Sequence, residues 1–118
     1  KRVMIDAAVS LDAITWNLVE KLQDFEPYGI GNRQPRFVVY KLTIVEMLPV
    51  GKGGKHARFV LRQHAVSRKF IAFGFGDRFD GSLAVNDMVD AVFEVSFNEW
   101  NGNRELQLKI VDLVKHSR

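Results

Sequence analysis

The sequence predicts a mainly β domain, a five-stranded barrel preceded by a short strand and a helix. Three observations support this prediction. Apolar and polar residues alternate in several segments after Pro35, which is the period of a strand. Asn101-Gly102 lies between two such segments and is a strong signal for a two-residue hairpin turn. The clearest helical pattern stands before Pro27, where a proline can end a helix.

Length and composition fit one globular domain. The chain has 118 residues, of which 47% are hydrophobic and 26% are charged. Its apolar runs are far shorter than the ~20 residues that span a bilayer. The absence of cysteine excludes disulfides and thiolate metal sites, and it fits a reducing cytoplasm. The expected location is therefore the cytoplasm. Because no initiator methionine precedes the first strand-like segment, we also expect a domain of a longer protein.

Positive charge is concentrated in the middle of the chain. The formal net charge is +3, but residues 31–69 contain nine Lys and Arg residues against Glu46 alone. A local basic patch of this kind indicates a polyanionic partner. A solvated basic face that maintains solubility explains the charge equally well.

The first predicted elements are a strand over residues 1–9 and a helix over residues 16–24. Thr15 can cap the helix, and Pro27 with Gly29 ends it. The helix has one apolar stripe with the spacing i, i+4 and i+7, formed by Leu18, Leu22 and Phe25.

Five strands follow, and the first is long enough to bend. They span residues 37–48, 56–64, 69–75, 88–99 and 104–114. Gly51-Lys52-Gly53-Gly54 forms a turn that we expect to be flexible, and residues 77–86 are irregular or hold a short helical turn. One face of the second strand is polar, and we expect it to point outward. It consists of His56, Arg58, Arg62 and His64, and only Val60 interrupts it.

The turn at Asn101-Gly102 fixes the register of the last two strands. It pairs apolar with apolar residues and acid with base: Phe93 with Ile110, Val95 with Leu108, Phe97 with Leu106, Glu94 with Lys109, and Glu99 with Arg104. A slip by one residue would set Glu94 against Val111, so the first register is preferred.

Five strands with a connection between the third and fourth have the strand count of an OB-fold barrel. An SH3-like barrel or a half-open sandwich is the alternative. Closure would remove the sheet edges and bury the alternating apolar rows. These rows are Ala57, Phe59 and Leu61; Phe93, Val95 and Phe97; and Leu106, Leu108 and Ile110.

No catalytic motif is present in the chain. P-loop, HExxH and GxSxG patterns are absent, and Gly29-Ile30-Gly31 lacks the third glycine of a dinucleotide loop. His56 and His64 are eight residues apart, too far along one strand to share a metal. We therefore expect no catalytic residue, no metal ligand and no cofactor in this chain.

Five segments resemble one protein family in order and spacing. FEPYGIGNRQPRF, from Phe25 to Phe37, is similar to the LxPFGxGNPxPxF joint of the bacterial single-strand-specific exonuclease RecJ family. The preceding IDAAVSLDAITWNLVEKL and the later VGKGGKHARFVL, IAFGFG and FNEWNGNRELQLKIVDL resemble the flanking segment and the C-terminal OB domain of that family. Arg33 replaces the usual proline, and Tyr28 replaces the commoner phenylalanine.

The resemblance implies a non-catalytic part of a larger enzyme, since the catalytic acid and histidine motifs of the family, including DHH, are absent. Residues 1–35 would be a strand, a helix and a Pro/Gly joint from the preceding domain, and residues 36–118 the OB-fold barrel. The parent would degrade single-stranded DNA from the 5′ end in DNA repair and recombination, with Mg²⁺ or Mn²⁺ held by its catalytic domains.

OB-folds bind on the face of their second and third strands and nearby loops. A single strand is held by phosphate contacts and by stacking on aromatic side chains. The predicted nucleic-acid-binding residues are Arg33, Arg36, Lys52, Lys55, His56, Arg58, Arg62 and Trp100. Trp100 either stacks on a base or covers the end of the barrel. Phe73 and Phe75 could also stack on bases, but we expect them in the core, since they lie in an apolar run.

An alternative from another class is a protein-interaction or architectural barrel. Its basic face would dock on a sister domain or on the acidic tail of a partner, such as a single-strand-binding protein. A free-standing enzyme is the least favoured interpretation.

Overall fold

The chain folds as a closed barrel of five strands with one short strand and one helix before it. The computed structural model describes residues 4–23 and 34–116. The elements are β1 (Ala7–Ala8), α1 (Trp16–Gln23), β2 (Arg36–Val50), β3 (His56–Gln63), β4 (Val66–Ala72), β5 (Met88–Trp100) and β6 (Asn103–Lys115). Short 3₁₀ turns occur at Leu11–Ala13, Lys52–Gly54 and Gly76–Arg78.

The barrel closes through β2, the longest strand. β2 pairs with β5 through its first half and with β3 through its second half, and the order continues through β4 and β6 back to β5. All of these pairings are antiparallel except that of β4 with β6. Bulges between Val39 and Leu42 and between Ile44 and Glu46 bend β2 as it passes from one partner to the other. The predicted five-stranded barrel with a bent first strand is confirmed.

The barrel interior is filled by the predicted alternating rows. Ala57, Phe59 and Leu61 of β3 are fully buried, and Phe93 packs edge-to-face on Phe70 with ring centroids 5.0 Å apart. The rows of β5 and β6 are buried as far as Val95 and Leu108, whereas Phe97 and Leu106 near the hairpin are half-buried. Alternation therefore predicted which face is inside, and distance from the barrel centre decides how deeply each side chain is buried.

The β5–β6 hairpin has the predicted register. Every pair from Trp100–Asn103 back to Phe93–Ile110 forms as expected. Asn101 and Gly102 have φ angles of 49° and 79°, as the two-residue turn requires. The register shifts by one only beyond Phe93, where Val92 pairs with Asp112.

The segment before β2 closes one end of the barrel. Leu11, Ile14 and Val19 are buried in the barrel core. The Leu11 N–H donates to Gln63 Oε1 at the end of β3 (2.8 Å), and Arg68 Nη1 at the start of β4 donates to the Ile14 carbonyl (2.9 Å). The described part of residues 1–35 thus shares the barrel's core, and the predicted domain boundary after residue 35 stays a prediction.

Helix α1 begins where the sequence predicted. The Leu18 N–H donates to Thr15 Oγ1 at 3.2 Å, so Thr15 caps it. The predicted strand over residues 1–9 is reduced, within the described residues, to β1, which pairs in parallel with Phe37 and Val38. Residues 24–33, with the predicted end of the helix and the Pro/Gly joint, lie outside the described residues.

The β4–β5 connection lies at the opposite end, where Leu83 is buried and Phe75 and Phe79 pack against the core. The predicted third strand was wrong at both ends. β4 begins at Val66 because the turn is at His64, with a φ of 53°, and Val66 pairs with Gln63. β4 ends at Ala72 because Gly74 has a φ of 78° and directs its N–H to the His56 side chain.

Candidate nucleic-acid interface

The outer row of β3 carries the predicted cations. Because Ala57, Phe59 and Leu61 point inward, His56, Arg58, Val60 and Arg62 point outward, as the alternation predicted. Arg58 lies between Leu48 of β2 and Ile71 of β4, and Arg62 lies between Thr43 and Ser67. The two arginines therefore share one side of the barrel.

Arg36 is not on that side. Following the pairs around the barrel, Arg58 is next to Ile71, Ile71 is next to Lys109, Lys109 is opposite Glu94, and Glu94 is opposite Arg36. Arg36 Nη2 donates to Glu94 Oε2, and Lys109 Nζ lies 3.2 Å from Glu94 Oε1. The structure thus places Arg36 in an ion-paired cluster that is separated from Arg58 by β4, β6 and β5.

Glu94 is held in its charged form by these two cations. Burial alone would raise the pKa of Glu94, but the hydrogen bonds and charges of Arg36 and Lys109 outweigh it and lower the pKa below its ordinary value. Arg36 and Lys109 are therefore both engaged by one carboxylate, which reduces the charge of this cluster from two positive charges to one.

A groove of about 390 Å³ crosses the outer face between β3 and the base of the β5–β6 hairpin. We call it the outer groove; it is lined by Arg58, Lys69, Phe70, Ile71, Phe73, Asn98, Glu105, Leu106, Gln107 and Leu108. Phe73 is 52% exposed, which contradicts its expected place in the core. The reason is that β4 ends at Ala72, so the alternation of the strand no longer sets the direction of the Phe73 side chain.

The β2–β3 loop holds Lys52 and Lys55, both exposed, beside β3. The Gly76 N–H donates to the Lys55 carbonyl at 2.9 Å, and a Cβ at Gly76 would overlap the Gly54 carbonyl oxygen. The loop that we expected to be flexible is therefore fastened to the β4–β5 connection, and Lys55 has a fixed backbone position.

His56 is half-buried and links the same two loops. Its Nδ1 accepts a hydrogen bond from the Gly74 N–H at 2.8 Å, and its ring meets Phe73 edge-on with centroids 5.3 Å apart. This predicted binding residue thus positions Phe73 at the groove. Since Nδ1 is the acceptor here, the neutral ring carries its proton on Nε2.

The two tryptophans have different environments. Trp100 is 68% exposed next to the hairpin turn, and its place in β5 puts it on the same face as Asn98. Trp16 of α1 instead stacks on Phe97, with ring centroids 4.7 Å apart, and the Arg104 guanidinium lies 4.7 Å from the Trp16 ring centroid. Trp16 therefore packs on the barrel, and Trp100 is available at its surface.

The cations in the described part of the chain fall into two groups: those that bond to a carboxylate or a backbone carbonyl, and those that form no ion pair. Arg58 Nη2 lies 3.3 Å from Glu46 Oε1, and Lys115 pairs with Asp87. Arg68 donates to a backbone carbonyl, and burial lowers its pKa. Within residues 4–23 and 34–116 no ion pair is formed by Lys52, Lys55, Arg62 and Lys69. Arg33, another predicted binding residue, lies outside the described residues.

Two other kinds of site were sought in the described part of the chain. No three of its His, Asp and Glu side chains are arranged to hold a metal ion. None of its helices is long and apolar enough to cross a membrane.

Residues 5–112 match the family model of the RecJ OB domain. The chain belongs to the RecJ OB domain family. Over 108 residues it is 23% identical to the single-stranded-DNA-specific exonuclease RecJ of Bacillus subtilis strain 168, covering 92% of this chain and 14% of that protein. The RecJ OB domain described here therefore spans about a seventh of the length of that relative.

Solved structures agree with this assignment. RecJ from Thermus thermophilus, solved in complexes with Mg²⁺ and with Mn²⁺, matches 86% of this chain with 30% identity and a TM-score of 0.56. The match covers 15% of the Mg²⁺-complex chain. The single-stranded-DNA-binding protein SSBb of Mycobacterium smegmatis matches 69% of this chain and 84% of its own, with a TM-score of 0.53 and 16% identity. The predicted OB-fold is confirmed.

Lys69 and Phe73 line the groove of this RecJ OB domain, although neither was among the predicted nucleic-acid-binding residues. A signal for Lys69 was present, because Ser67, Lys69 and Ile71 alternate with the buried Phe70 and Ala72. For Phe73 the sequence left base stacking open but favoured the core, and the direction of this side chain depends on where β4 ends.

Proposed function

We propose that this RecJ OB domain binds single-stranded nucleic acid along the outer groove. The observation that carries the proposal is an exposed aromatic among cations that have no ion-pair partner in the described part of the chain. Phe73 and Lys69 line the groove together, while Lys55 in the β2–β3 loop and Trp100 at the end of β5 flank its face. Basic grooves with aromatic platforms are the usual way in which proteins hold a single strand.

Each type of side chain has its own role in this proposal. Lys52, Lys55 and Lys69 neutralise phosphates without reading the sequence. Phe73 and Trp100 provide faces on which bases stack. Arg58 exchanges its contact with Glu46 for a phosphate, which is possible because the side chains of Arg58 and Glu46 are 38% and 46% exposed.

The parent protein supplies the catalysis in this proposal. The parent would be a longer chain that degrades single-stranded DNA from its 5′ end in repair and recombination, in the cytoplasm. The name of the Bacillus relative, a single-stranded-DNA-specific exonuclease, supports the exonuclease part of this proposal. Its catalytic domains would hold the Mg²⁺ or Mn²⁺ with which the Thermus protein was solved. The described residues form no cluster for such an ion, so no metal-dependent step is assigned to them.

Fluorescence anisotropy with labelled oligo-dT tests the binding. We expect the affinity to fall steeply between roughly 50 mM and roughly 200 mM salt, because bound phosphates release their counterions. Lys69→Gln and Lys55→Gln should each weaken binding and reduce the slope of log K against log salt by about 0.7, the value for one phosphate contact on a single strand.

Lys115→Gln is the matched control, since Lys115 already pairs with Asp87 and lies outside the outer groove. Equal losses for Lys115→Gln and Lys69→Gln would contradict a specific groove. An acidic peptide that binds at the same cations, with no binding of oligo-dT, would establish the interaction-module alternative instead.

A further inference from the structure

A second concave surface lies on the neighbouring part of the barrel, where β2 bulges. It has a volume of about 540 Å³ and does not include any residue of the outer groove. We call it the bulge pocket; it is lined by Tyr40, Lys41, Thr43, Arg62, Gln63, His64 and Met88.

The bulge turns two successive side chains toward solvent. In a regular strand Tyr40 and Lys41 would point to opposite faces, but both are exposed between the buried Val39 and Leu42. Lys41 has a φ of 59°, which is uncommon for a residue other than glycine. As a result, the Lys41 side chain does not point into the barrel, as regular strand alternation would require.

Hydrogen bonds hold this conformation in place. The Lys41 N–H donates to Asp90 Oδ1 at 2.9 Å, and the same oxygen is bonded to His116 Nε2. Gln63 Nε2 donates to the Tyr40 carbonyl at 2.9 Å, and Gln63 Oε1 accepts from the Leu11 N–H. Hydrogen bonds from β5 and from β3 therefore hold the bulge in place without a ligand.

Barrel closure alone does not explain the residues at this bulge. A glycine would satisfy the bend and the positive φ without strain. Four described non-glycine residues have positive φ, and two of them, Lys41 and His64, line this one pocket. Backbone strain of this kind concentrates at binding sites, where the surrounding structure maintains it.

The lining has the chemistry of a nucleotide site. Lys41 and Arg62 form no ion pair among residues 4–23 and 34–116, and no described carboxylate lines the pocket. Tyr40 is 53% exposed and Met88 is 43% exposed. The two cations can bind a phosphate, and the exposed aromatic ring beside them can stack on the base of the same nucleotide.

Arg62 connects this surface with the outer groove. It stands on the outer row of β3 four residues after Arg58, which lines the outer groove. We propose that the bulge pocket binds a further nucleotide of the same strand, with Tyr40 stacked on its base and Lys41 and Arg62 at its phosphates. This inference rests on the proposed function and extends the path of the strand across β3.

Oligonucleotide length separates this proposal from the proposed function. A strand of roughly 4 nucleotides fills the outer groove alone, whereas one of roughly 12 reaches both surfaces, within the site sizes known for OB-folds. Tyr40→Leu should weaken binding of the longer oligo-dT about tenfold, since it removes the ring, and should leave the shorter one unchanged. Tyr40→Phe keeps the ring and should bind like the unaltered chain.

Lys41→Asn tests the cation, because asparagine tolerates positive φ. It should weaken binding of the longer oligonucleotide only, while Lys21→Gln on α1, a control outside both surfaces, should change the binding of neither.

Ultraviolet cross-linking of the longer oligo-dT should label Tyr40, as read by mass spectrometry. Tight binding at both lengths with no effect of Tyr40→Leu or Lys41→Asn overturns the bulge pocket but leaves the outer groove intact. Absence of any oligo-dT binding overturns both proposals.

Discussion

Single carboxylates decide which cations of this domain remain available to a ligand. Glu94 engages both Arg36 and Lys109, whereas Lys55 and Lys69 have no ion-pair partner in the described part of the chain. The sequence predicted the contact of Glu94 with Lys109 through the hairpin register. It did not predict the contact with Arg36, because the pairing of β2 with β5 joins residues 58 positions apart.

Glu94 should also control the stability of the barrel in acid. Its pKa is lowered in the folded state, so its contribution is complete above the unfolded value of about 4.3 and is lost as pH falls through the folded pKa. Glu94→Gln should cost about 1–2 kcal/mol of unfolding free energy at pH 7. Urea unfolding from neutral pH to pH 2 measures this, and the variant should show a shallower loss in acid.

Glu99→Gln provides the comparison on the same strand, since Glu99 is exposed near the hairpin turn. It should leave the free energy of unfolding nearly unchanged at every pH. An acid profile of Glu94→Gln that runs parallel to that of the unaltered chain would show that the cluster does not stabilise the fold.

At the scale of elements, two loops far apart in sequence hold each other. The β2–β3 loop and the β4–β5 connection meet at the Gly76–Lys55 hydrogen bond and again at His56 and Gly74. Gly76 is required because of close approach and not because of its backbone angles, since its φ is not in the left-handed region. This junction places Lys55 and Phe73 on the same face.

Gly76→Ala should separate these loops. The new methyl group would meet the Gly54 carbonyl and the Lys55 backbone, so we expect a loss of about 1–3 kcal/mol in unfolding free energy. Thermal unfolding measures the loss. The control is Gly53→Asn, where a Cβ meets nothing within 4 Å and asparagine tolerates the φ of 70°. Equal stability of the two variants would contradict a tight junction.

Local signals predicted the elements that depend on local chemistry. Asn101-Gly102 determined the hairpin and its register, and Thr15 determined the start of α1. The bulge at Lys41 was missed because Asp90, which fixes it, lies on another strand 49 residues away. Phe73 was misplaced for a similar reason, since the end of β4 depends on the bond from Gly74 to His56.

For the whole molecule, barrel closure separates cations that are ion-paired from cations without an ion-pair partner in the described part of the chain. Arg36, Glu94 and Lys109 form the ion-paired cluster, and the outer groove with the β2–β3 loop carries the available cations. The sequence predicted a basic middle third but not this separation, because it follows from the order of strands around the barrel. It also did not predict that Leu11, Ile14 and Val19 would complete the core.

The most direct test is a nuclear magnetic resonance titration of the isotope-labelled chain with oligo-dT. Binding in the outer groove predicts that amide shifts change mainly in β3, β4, the β2–β3 loop and the β5–β6 hairpin, with little change around Arg36. Shift changes centred on the cluster of Arg36 and Glu94, with none at Lys69 or Phe73, would contradict the account.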